Sequence, residues 1–198
     1  MTKMRIVACV AAVGAVALMT GCRVENHKDG NSDNVKIATP FGGMSVKTND
    51  NVVIDELGLP VYPGAAVVKK DKDNGAADVN MSFGKYSLRV KAVSFTTTDK
   101  QEDVLAFYRK GLSRYGDVIE CHGSQSVGLA RTSEGLTCDK NKGTHITTDD
   151  KAKLELKAGS NKHQHIVAIE ESSGGMTKFG VVALDLPGEV SSDDGDKQ

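Results

Sequence analysis

The chain has 198 residues, of which 39% are hydrophobic and 26% charged, with 21 Gly, 4 Pro and no Trp. Its formal net charge of −1 excludes a basic nucleic-acid binder, and its composition excludes collagen, a coiled coil and a polytopic membrane protein. One globular domain with polar ends remains, its core resting on Val, Ile, Leu and Ala because aromatics supply only 5% of the residues.

Lys3 and Arg5 form a short positive stretch, and Ile6 to Met19 follow as an uninterrupted apolar run. That run falls short of the roughly 20 residues needed to span hydrocarbon, so it reads as the apolar region of a signal peptide. It ends in Leu18-Met19-Thr20-Gly21-Cys22. This ending resembles the lipobox of bacterial lipoproteins, with Met19 standing where Leu is usual. The resemblance implies a diacylglycerol, and usually an N-acyl chain, on Cys22 as the first residue of the mature chain. The partner it implies is the membrane, and the address is the periplasm-facing cell envelope. Arg23 follows the cysteine where an inner-membrane lipoprotein of enteric bacteria carries Asp, which points to the outer membrane. Without signal residues 1–21, 177 residues remain, and loss of Lys3 and Arg5 takes the charge from −1 to −3.

Cys9 leaves with the signal and Cys22 carries lipid, so Cys121 and Cys138 remain. An even remainder in an exported chain predicts one disulfide, with free thiols as the alternative. Neither residue sits in a C-x-x-C redox motif.

Residues 22–57 read as a polar tether, flexible over Arg23 to Asn34. Within it, Val35-Lys36-Ile37 and Met44 to Lys47 flank Phe41-Gly42-Gly43 as a small hairpin. The globular domain is expected over 58–187, entered through the rigid turn Leu59-Pro60-Val61-Tyr62-Pro63-Gly64, with a disordered acidic tail over 188–198. Asn74-Gly75 signals a type I′ hairpin that places Ala66 opposite Phe83 and Val68 opposite Met81. Gly84-Lys85 signals a type II′ turn that pairs Phe83 with Tyr86, Met81 with Leu88 and Val79 with Val90. Both turns put apolar partners on one face. The alternation then slips near Ala92, as a bulge or a strand covered on both faces requires.

Two overlapping capping boxes, Thr98 to Gln101 and Asp99 to Glu102, predict a helix start. Val104, Leu105, Tyr108, Leu112 and Tyr115 follow at helical spacing, with Gly116 as the stop, giving one amphipathic helix over about 98–115. Asp117 to His122 and Leu136 to Lys140 read as strands around a Gly/Ser-rich loop. In the last third, Ala152, Leu154, Leu156 and Ala158 alternate with Lys151, Lys153, Glu155 and Lys157, as a half-buried strand does. A turn at Ser160-Asn161 pairs Leu154 with Val167 and Ala152 with Ile169. A looser turn at Ser173-Gly174-Gly175 leads into Phe179 to Leu186. The predicted fold is α+β: an antiparallel sheet of two β-meanders with the main helix on one face.

Leu59 to Ala65, Thr97 to Asp99 and Val104 to Tyr108 resemble segments shared by a loose group of exported bacterial proteins of unknown function. These share a Leu-Pro-x-Tyr-Pro-Gly-Ala entry, a Thr-x-Asp helix start and a Val-x-x-Phe-Tyr helix. The resemblance implies no activity and no site residues.

Motifs for hydrolysis, nucleotide binding and zinc proteolysis are missing: Ser124 stands where a nucleophile elbow at Ser126 needs glycine, and no P-loop or H-E-x-x-H occurs. His163 and His165 are the metal candidates, since residues two apart on a strand share a face, but two imidazoles need His122 or His145 to complete a site. Asp71, Asp73 and Asp78 lack calcium-loop spacing and read as a charged hairpin tip. Phe107, Tyr108 and Tyr115 read as core before ligand stack, and Lys69, Lys70 and Lys72 as a solvated strand edge. The expectation is a lipid-anchored, non-catalytic module without cofactor or nucleic acid, binding an envelope protein, a glycan or a peptidoglycan component. The alternative is a metal-dependent or hydrolytic envelope enzyme built on the histidines.

Overall fold

The computed structural model describes residues 22–29, 32–69, 75–138, 152–170 and 174–187. They form an α+β fold, a mostly antiparallel sheet of 11 strands with two helices. In chain order these are β1 (Arg23–Asp29), β2 (Ser32–Thr39), β3 (Gly42–Lys47), α1 (Asp50–Glu56), β4 (Ala66–Val67), β5 (Ala76–Phe83) and β6 (Tyr86–Thr97). There follow α2 (Gln101–Leu112) with a 3-10 turn (Ser113–Tyr115), β7 (Ile119–His122), β8 (Gln125–Val127), β9 (Ala152–Gly159), β10 (His163–Glu170) and β11 (Thr177–Asp185). The spatial order is β1-β2-β3-β5-β6-β11-β10-β9-β7-β8, with β4 beside β6.

Two local turns form as their residues dictate. Gly84 takes a φ of +56°, which glycine adopts without strain, and the β5–β6 ladder pairs Phe83 with Tyr86, Met81 with Leu88 and Val79 with Val90. The hairpin around Phe41 pairs Val35 with Val46 and Ile37 with Met44. It does not stand apart on a tether, because β3 continues onto β5 through Met44–Met81 and Val46–Val79. Arg23–Asp29, expected as flexible chain, is strand β1, laid antiparallel on β2. α1 also falls in that stretch, capped by the Asn49 side chain, which accepts from the Val52 N–H, and buried through Val53.

The expected Ala66–Phe83 hairpin does not form. β6 outruns β5, and β4 takes the remaining edge, with Ala66 across from Thr96 and Val67 across from Phe95. Ser94 marks the handover, donating to the Gly75 carbonyl and accepting from the Val68 N–H. The slip near Ala92 involves no register shift. The strand's apolar residues change sides there, from Leu88 and Val90 on the outer face to Val93 and Phe95 beneath the helices.

α2 begins at Gln101, and Lys100 before it makes no side-chain cap. Asp99 is otherwise engaged: its carboxylate accepts from the Tyr62 hydroxyl at 2.8 Å and its N–H donates to Thr97 Oγ1. Tyr62 also meets Phe107 edge-on at 5.2 Å. The three motif segments of the sequence resemblance thus lock one another. Val104, Leu105, Tyr108 and Leu112 face inward onto Leu156, Val167, Ile169, Phe179 and Val181.

Register on β10 differs from expectation by two residues: Leu154 pairs with Ile169 and Leu156 with Val167. The turn tip lies at Asn161–Lys162, closed by the Ser160 N–H on the His163 carbonyl. A two-residue slip keeps every side chain on its face, so alternation alone cannot set it. Glu155 and Lys157, expected in solvent, are buried to 4% and 3% exposure, because β9 is covered on both faces. They share the outer face with Ile119 and Cys121, their cross-strand partners on β7. Cys121 is bonded to Cys138 with Cα atoms 5.4 Å apart, and both pack with Ile119 and Leu136. Closing that loop stabilises the fold by about 3 kcal/mol. Leu136 to Cys138 lie outside any strand, residues 139–140 lie outside the described residues, and β8 arises within the expected loop.

Candidate functional site

The histidines do not gather. His163 and His165 share a face of β10, but each has its own partner. His163 Nδ1 is 2.8 Å from Asp185 Oδ1, whereas the His165 ring stacks on Tyr115 with centroids 3.7 Å apart. Burial first, then the Arg114 charge, hold the His165 pKa below the usual histidine range, against the pull of Asp185 and a hydrogen bond to the Leu57 backbone. His122, on β7, sits 3.1 Å from Glu120 Oε1, and His145 lies outside the described residues. Among the described residues no group of three His, Cys, Asp or Glu side chains is placed to hold a metal ion. Tyr108 is buried core, and Tyr115 is engaged by the His165 ring and by the Arg114 guanidinium, 5.0 Å from its ring centroid. Lys69 pairs with Asp50 at 3.4 Å, while Lys70, Lys72, Asp71 and Asp73 lie outside the described residues.

Asp78 is a different matter. A groove of about 980 Å³ opens between α1 and strands β1, β2, β3 and β5 on the helix-bearing face. Its floor follows from cross-strand pairing. Glu25 lies across from Lys36, His27 from Asn34, Asn34 from Lys47, and Lys47 from Asp78. Paired residues of an antiparallel ladder share a face, so these polar side chains line one face, with opposite charges facing each other at Glu25–Lys36 and Lys47–Asp78. Asn49, Val52 and Val53 of the α1 end supply the wall.

This face continues beneath α1, where Asp78 stands across from Lys91. Lys91 is drawn the other way: its ammonium lies 2.6 Å from Glu56 Oε2 and 3.4 Å from the Glu56 carbonyl oxygen. That hydrogen bond, then the Lys91 charge, hold the Glu56 carboxyl below its usual range, with desolvation opposing and Lys47 and Arg89 adding to it. Asp78 is only 6% exposed, and its Oδ1 is buried without a hydrogen-bond partner. A buried acceptor left unsatisfied is destabilising by about 1–3 kcal/mol. Asp78 lines the groove together with Lys36 and Lys47, two cations of the kind that hold an anionic group.

Sequence reasoning missed this site because its outer wall was read as tether. The usable signal was the alternation of Asn34 and Lys36 with Val35 and Ile37, which marks β2 and its polar face. No family model, no curated protein and no solved structure matches this chain.

Proposed function

We propose that the protein is a lipid-anchored module of the bacterial envelope that binds a polar ligand in the α1 groove without transforming it. The observation that carries the binding role is the unpartnered, buried Asp78 Oδ1 in a groove that Lys36 and Lys47 also line. A ligand matching that set offers a hydrogen-bond donor to Asp78 and an anionic group to the lysines. Amino-acid-bearing fragments of peptidoglycan have both. The anchor is supported by the sequence around Cys22 and by its exposed position directly before β1. The outer membrane is supported by Arg23 standing where an inner-membrane retention signal has Asp.

The test is an NMR titration of the detergent-solubilised protein with muropeptides and, separately, with peptide-free glycan fragments. The expected result is that muropeptides shift the amides of Asn34, Lys47 and Asp78 while glycan alone does not. Lys36→Gln and Lys47→Gln each then weaken binding by roughly tenfold, the loss of one charged contact. Shifts produced by neither fraction overturn the assignment of this ligand. Turnover of any added fragment overturns the non-catalytic reading.

A further inference from the structure

The two hairpin tips nearest Cys22 expose aromatic side chains that have no role inside the fold. Phe41, in the β2–β3 turn, is 84% exposed, and Phe83, at the end of β5, is 58% exposed. They are held side by side. The Gly84 N–H donates to the Phe41 carbonyl at 3.3 Å, and Phe83 stands across from Gly42. The hairpins meet so closely there that a Cβ on Gly42 would lie 2.1 Å from the Ser82 carbonyl oxygen. Lys85 completes the second tip, its ammonium 5.6 Å from the Tyr86 ring.

The sheet register fixes where these tips lie relative to the anchor. Arg23 pairs with Ala38, so Cys22 emerges beside the Thr39-Pro40-Phe41 turn. The N-terminal end of β1, the β2–β3 turn and the β5–β6 turn therefore occupy one end of the sheet. Solvent-facing phenylalanines beside a lysine are the composition of a membrane-contacting edge, where rings enter the interface and the cation meets lipid phosphate.

We infer that this end of the sheet docks on the lipid bilayer, with Phe41 and Phe83 inserted into its interface as a second contact beside the Cys22 lipid. The inference rests on the lipid-anchor reading and gives it an orientation: strands rise from the membrane, and the groove opens sideways. Glu25 and His27 of the groove stand three and five residues along β1 from Cys22, so they lie about 10 to 17 Å above the anchor at the rise of an antiparallel strand.

The chain contains no Trp, so each added indole is a unique probe. Phe41→Trp, Phe83→Trp and, as control, Met176→Trp at the opposite end of β11 are made in the full chain. Each protein is reconstituted into phosphatidylethanolamine–phosphatidylglycerol vesicles with brominated acyl chains. The expected result is blue-shifted emission and several-fold stronger bromine quenching at positions 41 and 83 than at 176. Equal, weak quenching at all three positions overturns the proposal. So does a blue shift without quenching, which marks burial against a second copy of the chain. Intact mass of the same samples reports the anchor separately. Acylated protein with unquenched tips overturns docking and leaves the anchor standing. Quenched tips on unacylated protein overturn the anchor and leave docking standing.

Discussion

The surroundings of His165 oppose its protonation. Tyr115 covers one side at 3.7 Å, Nδ1 is buried without a partner, and the Arg114 guanidinium lies 5.0 Å from the tyrosine ring. Protonation would place a second cation in a half-buried stack, so burial and Arg114 lower its pKa, with Asp185 acting against them. Above the ordinary histidine value the ring is neutral in both the folded and unfolded chain. Below it the unfolded chain gains a proton that the folded chain resists, so stability falls with pH until the lowered native value is passed, and then levels off. Urea midpoints measured from about pH 7.5 down to about pH 5 should show this decline, and His165→Phe should flatten it while keeping the ring stack. An unchanged slope in that variant would assign the dependence to other groups. Asp99 shows a different competition at the same scale. An Asp just before a helical run is a strong capping signal, yet the Asp99 carboxylate instead accepts from the Tyr62 hydroxyl, a hydrogen bond that pushes that phenol up to about 12.

At the scale of elements, β9 carries the least expected feature, a buried ion pair. Lys157 Nζ lies 3.0 Å from Glu155 Oε2, yet neither Glu155 oxygen has a hydrogen bond of good geometry. Such a pair stabilises little by itself, but removing one partner leaves an uncompensated charge, at about 3–5 kcal/mol. Lys157→Met should therefore destabilise strongly in urea unfolding, and adding Glu155→Leu should recover most of the loss. A double variant no more stable than the single would contradict that picture. Strand alternation made β9 legible and its outer face illegible, because Glu and Lys at every second position normally mean solvent. The β2–β3 and β5–β6 hairpins were legible because short local turns set their registers. The Ala66–Phe83 pairing failed because the length of β6 decided where β4 would lie. The β10 register failed because a slip of two residues preserves every face. β1 was lost for want of hydrophobic marking, and α1 because its consecutive Val52-Val53-Ile54 in seven residues shows no helical period; most of the groove's outer wall went with β1.

At the scale of the whole molecule, the sheet divides its labour between two faces and one end. The helix-bearing face holds the core beneath α2 and, farther toward β1, the polar groove. The outer face is buried around the disulfide and opens toward β1, where Val24, Ile37 and Met44 are 64%, 36% and 37% exposed. The end that carries Cys22 also carries both exposed phenylalanine tips. An anchor at that end fixes the direction in which the groove faces, so lipidation of Cys22 is the premise on which the functional account depends. No helix among the described residues is long and apolar enough to cross a membrane. The most direct measurement is the intact mass of the protein extracted from membranes of the producing cell. The account predicts a chain beginning at Cys22 and carrying a diacylglycerol and an N-acyl chain. A chain that retains residues 1–21, or one that begins elsewhere with Cys22 unmodified, would contradict it.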